Sequence, residues 1–425
     1  MNAAVIGLGY VGLPLSIRLA QTGFGVLGID KDQKKIELLG KNLLPFGLRE
    51  PNLLSFFKQA QVSKNLKFTS TYEEIKDVDI IFISVDTPVE KRQPDIASLL
   101  AATKSIAKHL KKNQIIVIES TVAPKTTQDL IIPLLEKLSK LKLNRDFFVA
   151  VVPERIRPNY IFKQLTTLPR VIGVSDLRIK KELRIIYSKI TTGKLNFTDL
   201  ATAEVVKTVE NAYRDVNIAF ANEIALACED LGVDVWKIRE LVNKSPWRDM
   251  HKPGSGVGGH CIPKDPWLLA SSVKKHQMRL IETARSINDN MPAHIFALAE
   301  EALKEKKIKI ASANLAILGY AYVGNSDDTR NSPTESLIQI LKNKKVKYKV
   351  HDPYVKDFSN HSVEMTAKGA DVLIIMVNHD VYKKINYKKV AKVIKTKIII
   401  DGRNLVPAEL VRKLGFVYKG VGNTS

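Results

Sequence analysis

Over residues 1 to about 195, short apolar runs alternate with longer stretches in which apolar positions recur at helical spacing. The runs Ala3–Gly7, Gly25–Asp30, Ile80–Val85, Ile115–Glu119, Phe147–Val152 and Arg170–Gly173 read as strands, and the intervening stretches as amphipathic helices. That alternation is the α/β pattern of a mostly parallel sheet. The spacing then changes. Residues 200 to 232 form one helical stretch with neither proline nor glycine before Gly232, and residues 233 to 300 continue mostly helical around a glycine-rich interruption. From about residue 307 a second α/β pattern begins, with strands expected at Asn314–Gly319, Tyr348–His351, Val372–Val377 and Ile398–Asp401.

Composition narrows the class. A chain of 425 residues, 45% hydrophobic and 7% aromatic, has enough apolar material for two or three globular domains. The longest apolar runs, such as Ile80–Val85, are too short to span a bilayer. The segment after Met1 enters a strand at once and has no charged region followed by an apolar one, so no secretory leader is expected. Cys228 and Cys261 are the only cysteines, which argues against a disulfide framework and makes the cytoplasm the expected compartment. A net charge of +22 has two readings, attraction of a polyanion or a lysine-rich composition spread over solvated faces. The dispersed pairs Lys34-Lys35, Lys111-Lys112, Lys180-Lys181, Lys274-Lys275 and Lys383-Lys384 favour the second, so neither nucleic acid nor membrane is expected as a partner.

The first chemical signal is Gly7-Leu8-Gly9-Tyr10-Val11-Gly12, which follows the first strand and opens the first helix. Glycines at these positions permit a tight turn, close approach of a pyrophosphate and close helix–strand packing. Asp30 ends the next strand, where a carboxylate binds the adenosine ribose 2′-hydroxyl, so the expected cofactor is NAD rather than NADP. Lys35 is close enough in sequence to reach the adenosine side, and Tyr10 and Val11 lie within the turn itself. Thr87 and Thr121 each follow a strand, at the edge where open α/β sheets bind ligands, and are expected to line the cofactor.

The second signal is a polar stripe. Glu204, Lys207, Asn211 and Arg214 fall within roughly 80° of arc on the long helix, and Val205, Val209, Ala212 and Val216 are expected to pack elsewhere. A lysine desolvated on such a stripe acts as a base or as a donor to an oxyanion. The third is Gly254-Ser255-Gly256-Val257-Gly258-Gly259-His260-Cys261, with Asp265 four residues on. A thiol after a run of glycines, which let backbone pass close to a substrate, is a candidate nucleophile. Cys228, within Ala225-Leu226-Ala227-Cys228, reads instead as a core residue. No ligand cluster accompanies His260, so it is expected to be structural or to bond substrate, and no metal is expected.

With these motifs in order, the chain resembles the UDP-glucose/GDP-mannose dehydrogenase family over nearly its whole length. The resemblance rests on Gly9–Leu15, Ser120-Thr121-Val122, Pro153-Glu154-Arg155, residues 204–219, the Cys261 loop, Asp328-Thr329-Arg330-Asn331-Ser332-Pro333, His351-Asp352-Pro353 and Asp401-Gly402-Arg403-Asn404. It implies a Rossmann-like NAD domain over residues 1–195, a central long-helix dimerisation domain over 196–305 and a Rossmann-like UDP-binding domain over 306–425. It implies oxidation of a sugar C6 alcohol to a carboxylate with two NAD, in a homodimer or higher homo-oligomer. On this pattern Cys261 is the nucleophile and Lys207 the acid/base residue. Asn211 holds the oxyanion, Glu154 and Asp265 manage water or proton transfer, and Arg330 approaches the cofactor. Arg155, Ile156, Lys207, Asn211, Arg214, Gly258, His260 and Arg403 are the implied substrate contacts. The Glu154-Arg155 pair and His260 resemble the N-acetylhexosamine branch, with UDP-N-acetylmannosamine as first substrate, then UDP-N-acetylglucosamine or UDP-glucose. Arg155 there offers fixed donors to an acetamido carbonyl or a diphosphate.

Three positions depart from the family pattern: Lys125 and Asn159 where glycine is usual, and Val323 where a substrate-binding lysine is usual. Three other readings remain open at this level. A two-electron hydroxyacid dehydrogenase would need no nucleophilic thiol. A nucleic-acid binder would carry a clustered basic face. A catalytically silent nucleotide-sugar binder would tolerate Val323.

Overall fold

The computed structural model describes residues 1–45, 52–63, 65–157 and 160–423. Its internal contacts divide the chain into two compact units, one of residues 1–210 with 267–277 and the other of residues 211–266 with 278–425. Each is built around a sheet.

Among its described residues the first unit holds ten strands: β1 (Asn2–Ile6), β2 (Gly25–Ile29), β3 (Leu66–Thr69), β4 (Ile80–Ile83), β5 (Val89–Glu90), β6 (Gln93–Pro94), β7 (Ile115–Ile118), β8 (Phe148–Val151), β9 (Arg170–Val174) and β10 (Leu195–Asp199). Eight of them form one sheet in the order β10-β9-β8-β7-β4-β1-β2-β3, while β5 and β6 pair as a small hairpin. Every pairing in the large sheet is parallel except β8 with β9. The Ile-rich runs of β4 and β7 are buried at every position because helices cover both faces. From β1 the chain adds β2 and β3 on one side, then returns to place β4 on the other. The loops after β1 and β4 therefore diverge, which opens the ligand crevice of a doubly wound sheet.

The second unit repeats this logic with β11 (Asn314–Leu318), β12 (Lys347–His351), β13 (Val372–Ile375), β14 (Ile398–Asp401) and β15 (Val417–Gly420). All are parallel, in the order β12-β11-β13-β14-β15, with the reversal between β11 and β13. Between the sheets in sequence lies the long helix Leu200–Leu231. It stops as expected: Gly232 turns with φ +67°, and the Val233 N–H closes on the Cys228 carbonyl at 2.9 Å. Among the described residues no helix is long and apolar enough to cross a membrane.

The strands that sequence reasoning passed over, besides the β5–β6 hairpin, are β3, β10 and β15, and all three lie at sheet edges. An edge strand is covered on fewer sides, so Leu-Lys-Phe-Thr and Leu-Asn-Phe-Thr-Asp keep polar residues where a central strand would not. Strand β10 also carries the first sheet to Asp199, past the expected boundary at 195. On the long helix Glu204 and Lys207 are buried, and Val205 and Val209, expected to pack away from that stripe, are exposed.

Candidate active site

The glycine turn separates into three tasks. Gly7 adopts φ +88°, and a side chain there would strike the Ser84 carbonyl; one at Gly12 would strike the Gly7 carbonyl. Those two close the turn against β4 and the helix Gly12–Gln21. Gly9 differs, since a Cβ there would have no atom within 4 Å. The space beside Gly9 adjoins the N-terminus of that helix, which Val11 precedes without a side-chain cap. A bare backbone, open space and a helix N-terminus fit the pyrophosphate of NAD. Beyond the end of β2, the Asp30 carboxylate accepts from the N–H groups of Leu8 at 2.8 Å and Asp32 at 3.0 Å, and from Lys35 Nζ at 2.6 Å. Burial disfavours its charge, but Lys35 and the two N–H groups outweigh that and hold its pKa below the usual value. A carboxylate kept anionic at this place suits ribose hydroxyls, and Lys35 acts through it. Thr87 and Thr121 are brought together at the ends of β4 and β7, where Thr87 Oγ donates to the Thr121 carbonyl at 2.6 Å. Tyr10 and Val11 are half-buried in the turn.

Further along the same unit, the segment after β8 runs beside the long helix. Glu154 Oε1 lies 3.9 Å from Lys207 Nζ, both largely buried, and Glu154 Oε2 accepts from the Ile156 N–H at 2.6 Å. Arg155 is turned the other way. Its Nε and Nη2 meet Glu210 at 3.0 and 2.5 Å, and its Nη1 donates to the Pro169 carbonyl at 3.0 Å. Glu204 belongs to the fold rather than to a pocket: it accepts from the N–H groups of Lys125 at 2.5 Å and Thr127 at 3.0 Å. Lys125 has φ +72°, a left-handed conformation that favours glycine, which accounts for the family's glycine there. Asn159 lies outside the described residues.

In the second unit the cysteine loop is anchored at successive points. The Gly254 N–H donates to Asn222 Oδ1 at 2.8 Å, Ser255 Oγ to the Met376 carbonyl at 2.7 Å, and the Gly259 N–H to the Arg330 carbonyl at 2.9 Å. The glycines serve protein packing: a Cβ at Gly258 would come within 2.6 Å of Asn331 O and of the Tyr322 side chain. Close backbone approach is therefore required here by residues 322–331, which the substrate-based expectation did not foresee. Beyond the anchors, Cys261 is half-buried, and its carbonyl accepts from the N–H of Asp265 at 2.8 Å. Asp265 begins the helix Asp265–Ser272 and is fully buried; its Oδ2 accepts from Asn211 Nδ2 at 2.5 Å, and Lys264 Nζ stands 3.5 Å from Oδ1. The three expected residues Cys261, Asp265 and Asn211 are thus brought together. Cys228 is buried, and burial raises its thiol pKa, with Asp234 and Glu229 adding to the effect.

Arg403 reaches the same loop. Its Nε donates to the Met376 carbonyl at 2.8 Å and its Nη2 approaches Gly256 O at 3.4 Å; burial lowers its pKa to about 10 against the charge of Asp401. Arg330 folds back on Asp328, with Nε at 2.9 Å and Nη2 at 2.6 Å from its oxygens. His260 is half-buried beside Cys261, Arg214 is exposed on the long helix, and Val323 is exposed in the turn after β11.

Two arrangements escaped sequence reasoning. Asp352, after β12, accepts from the N–H groups of Tyr320, Ala321, Tyr354 and Val355 and from His379 Nε2, and so shapes the crevice beyond β11. Burial opposes its charge, but His379 and the backbone donors hold its pKa down to about 2. The second joins the long helix to the helix Arg279–Glu305: Asp215 accepts from Arg285 Nη1 at 2.6 Å and Asn288 Nδ2 at 2.7 Å, and Asn222 Nδ2 donates to Asn288 Oδ1 at 2.8 Å. Asp215 and Asn222 continue the stripe of Lys207 and Asn211 at helical spacing, so the stripe extended further would have pointed to them.

Residues 1–191 match the NAD binding domain of the UDP-glucose/GDP-mannose dehydrogenase family, residues 201–290 its central domain and residues 316–408 its UDP binding domain. A UDP-N-acetyl-D-mannosamine dehydrogenase of Pyrococcus horikoshii is 39% identical over 99% of both chains. One from Methanocaldococcus jannaschii is 40% identical over 97% of this chain and 94% of its own. A solved structure of a UDP-D-ManNAc dehydrogenase from Pyrococcus horikoshii covers 100% of both chains with a TM-score of 0.94 at 38% identity. The two sheets, the glycine turn and the cysteine loop agree with all three matches, and the hydroxyacid and nucleic-acid readings fall away. The chain belongs to the UDP-glucose/GDP-mannose dehydrogenase family and is an NAD-dependent UDP-sugar dehydrogenase.

Proposed function

We propose that the protein oxidises the C6 alcohol of UDP-N-acetyl-D-mannosamine to the carboxylate, through a thioester on Cys261. The observation that carries this reading is the thiol itself. Cys261 is half-buried at the head of an anchored loop, with Asp265 and Asn211 hydrogen-bonded beside it, whereas a two-electron dehydrogenase needs no such group. The substrate is inferred from the names of the relatives at 39 and 40% identity.

NAD, when bound, accepts the hydride at each of the two oxidations. Lys207, largely desolvated beside Glu154, takes the proton of the C6 hydroxyl in the first step. Cys261 Sγ then adds to the aldehyde carbon, and Asn211 Nδ2 donates to the oxygen that becomes negative. The second oxidation leaves the acyl group on sulfur. Water, deprotonated with help from Glu154 and Asp265, cleaves the C–S bond and regenerates the thiol. One alcohol, two NAD and one water give one carboxylate, two NADH and three protons. Tyr10, Val11, Thr87, Thr121, Asp30, Lys35 and Arg330 serve the cofactor in this reading, and Ile156, Arg214, Gly258, His260 and Arg403 the substrate. The working form is a homodimer in the cytoplasm. An apolar stripe of Val205, Val209, Tyr213 and Phe220 left exposed on the long helix supports the dimer, and a content of two cysteines, too few for a disulfide framework, supports the compartment.

The test is stoichiometry on a panel of UDP-sugars. Two NADH per sugar and a uronate product are expected, with kcat/KM highest for UDP-N-acetyl-D-mannosamine. Cys261→Ser should bind NAD and sugar yet stop net turnover, while Cys228→Ser turns over nearly as the parent does. One NADH per sugar with released aldehyde would overturn the thioester; equal kcat/KM for UDP-glucose would overturn the substrate.

A further inference from the structure

Two ion pairs lie side by side where the segment after β8 meets the long helix. Glu154 faces Lys207 at 3.9 Å, and the next residue, Arg155, grips Glu210 through two nitrogens at 3.0 and 2.5 Å. The rungs have opposite polarity: carboxylate to ammonium in the first, guanidinium to carboxylate in the second. Glu210 follows Lys207 by one turn of the same helix, so each rung joins a residue of one partner to its near neighbour's counterpart on the other.

The segment needs such a fastening. Residues 152–157 belong to neither strand nor helix, and among the described residues no ladder of backbone hydrogen bonds sets their distance from the helix. The backbone N–H groups of Val152 and Glu154 bond the carbonyls of Ile118 and Glu119 at 2.9 and 3.4 Å, but the Glu154 carboxylate accepts from the Ile156 N–H of its own segment at 2.6 Å, so whatever moves the segment moves the carboxylate. Arg155 also occupies Glu210. A carboxylate three residues after a lysine on a helix reaches that lysine. Glu210 released from Arg155 would compete with Glu154 for Lys207. Exposed ion pairs contribute little by themselves. This one is bidentate, carries a third bond to the Pro169 carbonyl, and its arginine is only 18% exposed.

We propose that Arg155 and Glu210 form a clasp that positions Glu154 on Lys207 and keeps Glu210 away from it, so that Glu210 is a positioning residue for the oxidation. The inference rests on the assignment of Lys207 as the acid/base residue. It moves the work of Arg155 from the sugar's acetamido group to the protein's own frame.

Steady-state kinetics of Arg155→Ala, Glu210→Gln and the swapped pair Arg155→Glu/Glu210→Arg test it, on UDP-N-acetyl-D-mannosamine and UDP-glucose. Thermal melts screen each variant for folding. Each single variant is expected to lower kcat by about 10- to 100-fold, the scale of a misplaced catalytic group, with KM for sugar and NAD changed less than threefold. The loss should be equal for both sugars, and the swapped pair should recover most of it. Hydrogen exchange over residues 152–157 should quicken in the single variants and return towards the parent rate in the swap. Loss confined to the N-acetylated sugar and to KM would overturn the clasp in favour of direct recognition. So would a swapped pair no better than the single variants, or quickened exchange with unchanged kcat. Lys207→Ala, run alongside, separates the two ideas. If it keeps parental kcat, the acid/base assignment fails and the catalytic half of the proposal with it, and the exchange data still decide whether the clasp exists.

Discussion

Glu119 shows how much a single buried group can govern. It directly follows β7, is buried, and accepts from the Tyr187 hydroxyl at 2.6 Å. Burial lifts its carboxyl from the ordinary 4.5 to about 7; Arg170 and Tyr187 oppose the lift, and the charge of Glu154 adds to it. The folded protein therefore holds this proton more tightly than the unfolded chain does. The stability linked to it is complete below about pH 4.5 and is lost as pH rises through about 7, up to roughly 3 kcal/mol. Glu119→Gln stays neutral and keeps an oxygen for Tyr187. Its melting temperature should match the parent near pH 4.5 and exceed it by several degrees at pH 8. A difference that does not grow with pH would show that the carboxyl titrates normally. Nothing in the local sequence Ile118-Glu119-Ser120 marks Glu119 as buried, since Tyr187 lies 68 residues away.

Among the elements, the glycine turn was legible in detail because its chemistry is local. Strand, turn and helix follow one another within a few residues, and each glycine answers a steric need of its immediate neighbours. The three glycines should still fail differently. Gly9→Ala meets no atom within 4 Å, so its melting temperature should stay within about 2 °C of the parent while NAD affinity falls at least tenfold by calorimetry. Gly12→Ala strikes the Gly7 carbonyl and should lose both stability and NAD binding. Unchanged NAD affinity in Gly9→Ala would refute the pyrophosphate assignment. The cysteine loop was legible as a glycine run ending in a thiol, but its purpose was only half read. Its glycines make room for Tyr322 and Asn331, residues more than sixty positions away that no local pattern connects to it. Strands β3 and β10 were missed because edge position, a property of the finished sheet, relaxes the apolar pattern that signals a strand.

For the whole molecule, the long helix carries the open question of assembly. Val205, Val209, Tyr213 and Phe220 fall within roughly 80° of arc and are exposed by 37, 44, 68 and 52%. A contiguous apolar stripe of this kind is costly in water and marks an interaction surface. On the proposed homodimer, the double variant Tyr213→Glu/Phe220→Glu should be a smaller species than the parent in light scattering; an unchanged mass would move the interface elsewhere.

Local pattern alone was enough for the two α/β patterns, the helix from 200 to its glycine stop, the NAD turn with Asp30, and the glycine-run setting that distinguishes Cys261 from Cys228. Each depends on residues close together along the chain, where period, backbone freedom and spacing act directly. Which polar side chains share a partner is settled by the folded chain. Arg155 finds Glu210 across 55 residues, Asp215 finds Arg285 across 70, and Gly254 finds Asn222 across 32. An arginine or asparagine has the same donors whether it meets a substrate or a glutamate; folding supplies the neighbour, and burial makes the choice energetically binding.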